Sequence, residues 1–494
     1  MKKILCIMLA LAMMLSITAF AEESTGSAPP QGGPGAGGTP PDGFGGGTPP
    51  DGFGGGTPPD GTPPDSFGGG TPPDGAPGGF GGGTPPEGGT ASFEYTAAAE
   101  ITEAAELTGQ TFSSDTADEN ALLINTSESV TITDSAVTKS GDSNGGDNCS
   151  FYGQNAALLV MGGSTAVITG GTIETSASGA NGVFSYGGNG GRNGAAGDGT
   201  TVVISDTVIT TTGDGSGGIM TTGGGTTYAS NLEVSTSGRS SAAIRTDRGG
   251  GTVVVDGGTY TTSGLGSPAI YSTADITVKN ASLISSLSEG VCIEGKNSIT
   301  LENCDMTASN TQCNGNATFL DTIMIYQSMS GDADSGTSSF TMTGGSLTSL
   351  SGHMFHVTNT HAVITLSGVT LHNEGSDILL SVCDDGWHGA SNIAELTARG
   401  QELTGTLLVG DNSTLTLTLA DGSAFEGTVS GQIENAKGEM VSTEAGTVNV
   451  VLDDTSTWIL TADTWIDSFE GNASAVIGNG YTLYVNGTAL EGIS

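Results

Sequence analysis

The sequence predicts an all-β protein: a right-handed parallel β-helix, or solenoid, preceded by a disordered Pro/Gly-rich segment. Three observations predict it. A short apolar pattern recurs along most of the chain, its copies tend to stand about two dozen residues apart, and few stretches favour helix.

At the N terminus, Lys2 and Lys3 precede an apolar run from Ile4 to Phe20, and Ala19-Phe20-Ala21 is a small-x-small cleavage site. This is the layout of a secretory signal peptide over residues 1–21, so the mature protein is expected to be secreted or displayed at the cell surface. No later stretch is apolar enough to span a bilayer. Residues 22–92 are low-complexity, with Thr-Pro-Pro-Asp-Gly-Phe-Gly-Gly-Gly recurring at 39–47 and 48–56. Pro-Pro favours polyproline II and triple Gly favours coil. Neither buries a core, so a disordered tether is expected.

The β-helix is predicted over residues 93–494. Its repeat is apolar-x-apolar, a small or polar pair, and another apolar residue five places after the second. Val130/Ile132/Val137 shows it, as do Val202/Ile204/Ile209, Val253/Val255/Tyr260, Ile276/Val278/Leu283 and Ile299/Leu301/Met306. Phe340/Met342/Leu347 and Ile364/Leu366/Leu371 follow, and Trp458/Leu460/Trp465 and Leu483/Val485/Leu490 keep the offsets near the end. Weaker copies sit at Ile168/Ile173 and Ala229/Val234. The alternation is that of a strand with one buried face. Intervening pairs such as Gly257-Gly258, Asn280-Ala281 and Gly344-Gly345 suit a tight bend, because Gly and Asn tolerate left-handed backbone.

Ala229, Val255, Val278 and Leu301 stand 26, 23 and 23 residues apart, one coil each. Longer intervals, 36 from Ile132 to Ile168 and 41 from Leu301 to Met342, mark insertions. These fall around 142–154, 185–199, 310–336 and 384–410, the last within a 51-residue interval that holds either two coils or one with a long loop. They enter at a similar place in the coil and are expected on one side of the solenoid, where function usually sits.

Without Lys2 and Lys3, nine of the eleven basic residues remain against 52 acidic ones, a net charge of about −43. Such a chain repels nucleic acid and anionic membranes and attracts cations. Its Gly, Ser, Thr and Asn surface faces water or sugar. The mature chain keeps Cys149, Cys292, Cys304, Cys313 and Cys383, an odd and irregular set that reads neither as a disulfide framework nor as a zinc site. Buried thiols, or one bridge among the central three, are the readings left open.

On this repeat, residues 93–494 resemble the pectin-lyase-like superfamily of right-handed β-helices, which includes polysaccharide lyases, glycoside hydrolases and adhesins. The stretches from Trp458 to Asp463 and from Tyr481 to Gly487 look like the closing repeats of adhesin and autotransporter passengers. The whole layout is similar to calcium-dependent, carbohydrate-binding β-helix proteins secreted by Gram-positive bacteria. A fold of this kind supports binding and cleavage alike, so the residues must choose.

Basic residues are scarce, which makes their positions informative. Arg239, Arg245 and Arg248 lie within ten residues, beside Asp247, and such a group can bind or deprotonate an acidic sugar, or simply neutralise neighbouring acid. Cys383-Asp384-Asp385-Gly386-Trp387-His388 offers two carboxylates and an aromatic platform; Asp384, Asp385 and Trp387 are candidate sugar contacts, and a structural turn is the alternative. All five histidines fall between His353 and His388, without a tight metal spacing. Calcium is the expected cation, with Asp332 and Asp334 as one oxygen-ligand set and Asp142 and Asp147 as a looser one. No coil assembles acid, base and metal together. The expected role is therefore adhesin-like binding of a polysaccharide or cell-surface glycan, and the alternative is a lyase or hydrolase of an acidic polysaccharide, of pectate-lyase type.

Overall fold

The computed structural model describes residues 93–190 and 196–494. The expected signal peptide and tether lie outside the described residues. Two long stacks of parallel strands dominate, a 22-stranded and a 15-stranded sheet, in a β-helix-like all-β fold. A typical coil gives two short strands to the larger sheet, such as Ser129–Thr133 and Ala136–Lys139, and one to the smaller, such as Leu158–Met161.

The repeat positions become the core. Ile132, Ile168, Ile204, Ala229, Val255, Val278, Leu301, Met342 and Leu366 are successive neighbours in one strand register. The residues five places on, from Val137 through Tyr260 to Leu371, form a second such row. Both rows face a common apolar interior. The intervals of 36 and 41 residues are thus single coils with insertions. The 51-residue interval holds two coils, because Ile364 pairs with Leu396 and Leu396 with Leu417.

Between the two strands of a coil the chain turns through left-handed backbone. Asn231, Asn280 and Asn303 have φ of 51°, 53° and 52°, and Gly257 and Gly344 take their place in neighbouring coils at 73° and 63°. Short side chains tolerate this conformation and stack from coil to coil.

The last predicted repeats depart from the pattern. Trp458 points inward but belongs to the smaller sheet, where its ring stacks on Phe425 at 5.7 Å. Trp465, predicted to face the core, is 54% exposed and stacks on Tyr484 at 5.0 Å. The chain enters a separate three-stranded sheet at Thr464–Ile466, so the offset of five no longer keeps phase and Ile466 turns inward instead. Among the described residues, no helix is long and apolar enough to cross a membrane.

Candidate functional site: a polar layer under the insertions

The middle strands of the smaller sheet are buried on both faces. Val183–Tyr186, Ile219–Thr222, Val291–Glu294 and Asp321–Tyr326 are buried at every position. One face joins the interior. The other carries a row running Met220, Arg245, Tyr271, Cys292, Met324, His356 and Ser381 in register. The insertions cover it. Phe151 and Tyr152, from the short helix Asp147–Tyr152, pack with Phe184 and Met220. Ala317 and Trp387 pack with Tyr271, Cys292 and Met324, and Phe319 stacks on His356 at 4.6 Å. The insertions at 142–154 and 310–336 and the loop at 384–391 therefore share one face. Most of the stretch expected as an insertion over 384–410 is instead coil, with strands at Asn392–Arg399 and Glu402–Val409. The insertion expected at 185–199 lies partly outside the described residues.

Three polar groups lie beneath them. In the first, Arg245 pairs with Asp247 at 2.5 Å, and Arg248 reaches Asp332 through Nη2 at 2.5 Å and Nε at 3.1 Å. The Arg248 guanidinium also lies 3.9 Å from the centre of the Phe151 ring. Burial pushes the Asp247 carboxyl up to about 7 against the pull of Arg245, and pushes Asp147 up to about 6 against Arg248. In the second, Glu294 accepts hydrogen bonds from the Tyr271 hydroxyl at 2.5 Å, the Tyr326 hydroxyl at 3.1 Å and the Ser328 hydroxyl. Its burial still outweighs these donors and raises its pKa.

The third group contains a nucleophile type, two bases and a carboxylate. Ser381 Oγ lies 2.8 Å from Nδ1 of both His353 and His356, and His356 Nε2 lies 3.3 Å from Asp385 Oδ2. Asp385 Oδ1 accepts from the Thr318 amide and hydroxyl and from the Gly386 amide, at 2.6 to 2.8 Å. Burial works to raise the Asp385 pKa, but His356 and these donors hold it below the usual carboxylate range. Burial lowers His353 to about 3. Nearby, burial raises Glu289 and Asp321, and the charges of Glu289 and Asp385 push Asp321 further. The chain of hydroxyl, imidazole and carboxylate has the order of an activated nucleophile, but Ser381 and His356 are completely buried.

The predicted residues divide accordingly. Arg245, Arg248, Trp387, Asp332 and the Asp385 carboxylate are sealed in this layer, with Trp387 against Tyr326 at 4.9 Å. Arg239 is exposed and donates to Asn314. Asp384 is exposed and accepts from Asn392 at 2.6 Å. Asp332 and Asp334 do not converge, since Asp334 pairs with the half-exposed Lys296 at 2.9 Å. Asp147 is instead brought near Asp332 and Arg248, while Asp142 accepts from the Ser178 amide. No group of three or more His, Cys, Asp or Glu among the described residues is placed to hold a metal. The five cysteines are free, and all but Cys313 are buried.

Sequence reasoning missed Tyr271, Glu294, Tyr326 and Ser381. The available signal was a set of short runs buried on both faces, each interrupted by a lone polar residue, for which alternation gives no guide.

The larger sheet differs. Its strands alternate buried with half-exposed residues, and Thr and Ser dominate the outward positions. Comparison with protein families, curated proteins and solved structures found no match.

Proposed function

We propose that this is a secreted or surface-displayed right-handed β-helix of the pectin-lyase-like kind that binds glycans or cell surfaces and does not cleave them. One observation carries the reading: the groups equipped for chemistry are consumed by one another beneath the insertions, while the face left to solvent is a ladder of hydroxyls. Arg245 and Arg248 each hold a carboxylate, and Trp387 is covered, so none of the three presents itself to a polymer. Hydroxyl and β-branched side chains on a rigid sheet match the mixed polar and apolar surface of sugars.

A second reading, cleavage of an acidic polysaccharide, draws on Arg239, which stays exposed on the same stretch of chain. The full secreted protein, incubated with neutral and acidic polysaccharides, with calcium or chelator, separates the two. Retention on a polymer with no shortened products is the expected result. Shortened products that disappear in Arg239→Ala would replace binding with catalysis.

A further inference from the structure

We infer that the glycan site is the outward rank of the larger sheet that runs from Thr131 to Val451, and that its ligand is an uncharged polysaccharide packed into an ordered, rigid surface. The inference rests on the binding reading and names its site and ligand class.

The rank passes through twelve strands in continuous register without a bulge. At the ~4.8 Å spacing of neighbouring strands it is roughly 50 Å long. Six successive rungs are Thr277, Thr300, Thr341, Thr365, Thr397 and Thr418. The others are Thr131, valines and Tyr228, and every rung is half-exposed. Among the described residues, the rank's threonine hydroxyls have no protein partner.

Charge is what singles this rank out. A chain of net charge −41 places no ionisable side chain except the phenol of Tyr228 on twelve consecutive rungs. The rungs beyond its two ends are Glu106 and Glu470. Beside it, the exposed cations are matched by acids: Lys279 with Glu302 at 2.9 Å and Arg399 with Asp421 at 3.0 Å, while Glu395 meets His361 at 2.8 Å. The rungs themselves are uncharged while their flanks stay net acidic, with Asp256 and Asp275 meeting only Asn280 and Ser298. The strip therefore accepts an uncharged partner and its borders repel an acidic one.

Regularity argues for an ordered partner. Thr and Val are stiff at χ1, so the array is preorganised and loses little entropy on contact. Apart from Tyr228, each rung offers only methyl or hydroxyl contacts, which become useful when many rungs engage at once. A straight, repeating surface allows that. A flexible soluble chain must first be ordered, at an entropic cost that weak single contacts do not offset.

The test uses the full secreted chain with microcrystalline chitin, microcrystalline cellulose and soluble polygalacturonate as probes. The wild type is expected to be retained on at least one crystalline polymer. The pair Thr341→Glu and Thr365→Glu should lower that retention about tenfold or more, and the triple Thr300→Val, Thr341→Val, Thr365→Val should lower it by a smaller factor. The valine triple is safe for folding because Val already occupies other rungs of the rank. Thr404→Val, exposed on the smaller sheet, is the control and should bind as wild type. Retention on crystalline polymer that neither variant weakens overturns the site while leaving glycan binding intact. Preference for polygalacturonate overturns the ligand class, and retention on none of the probes overturns the inference together with the reading beneath it.

Discussion

Asp147, Asp247, Glu289, Glu294 and Asp321 all hold their protons more tightly in the folded chain than an exposed carboxyl does, and in each case burial is the largest cause. An unfolded Asp titrates near about 3.9. Acids with raised folded values contribute stability that is fully present below the unfolded value and is lost as pH rises through the folded one. For Asp147 and Asp247 those folded values are about 6 and about 7. Asp385 works in the opposite sense, because its lowered pKa stabilises the fold above the unfolded value and is forfeited only in stronger acid. The unfolding temperature, followed by circular dichroism, is therefore expected to fall between pH about 5 and about 8. A flat profile over that interval would mean that Asp147 and Asp247 stay ionised in the folded chain as they do in the unfolded one. The residues of this layer were visible in the sequence as scarce arginines and an Asp pair. Asp247, the partner of Arg245, stood beside it. The pairing of Arg248 with Asp332 was not visible, since the two stand 84 residues apart and meet only because the 310–336 insertion folds over the coil that carries Arg248.

At the scale of the element, the bend between the two strands of a coil sets the register of everything that follows. Gly345 has φ of 72°, and a Cβ there would stand 2.0 Å from the Cys304 carbonyl oxygen of the preceding coil. Backbone cannot yield as a flexible side chain can. Gly345→Ala is expected to cost more than about 2 kcal/mol in chemical denaturation. Asn303→Gly should stay within about 0.5 kcal/mol, because Gly344 already fills the same place one coil later. Equal effects from both substitutions would show that the bend relaxes freely. These bends and the apolar triplets were legible because a strand with one wet face must alternate, and a bend must recur once per coil. The smaller sheet was not legible in this way, since strands buried on both sides erase the alternation. Trp465 shows the converse: the offset was present, but the strand that gave it meaning had ended.

For the whole molecule, the net charge is −41, and among the described residues most acids lie at the surface while the scarce cations are spent elsewhere. Arg245, Arg248 and Lys139 are buried, and Lys279, Lys296 and Arg399 are each paired. A solenoid stacks its charges along one axis, so every coil feels like-charged neighbours, and folding must work against that repulsion. Raising the ionic strength shortens the screening length from about 30 Å at about 0.01 M to about 8 Å at about 0.15 M. This relieves repulsion between coils and weakens exposed pairs such as Lys279–Glu302, Lys296–Asp334 and Arg399–Asp421, each worth at most about 1 kcal/mol. The unfolding temperature in sodium chloride is therefore expected to rise over that range. A fall would mean that specific surface pairs outweigh the general field. Calcium chloride at matched ionic strength supplies the discriminating arm, since a further rise that is reversed by chelator marks a specific divalent site. Coincident curves mean that the acids act as a diffuse field, and the calcium expected from the acidic turns then plays no part in holding the coils together.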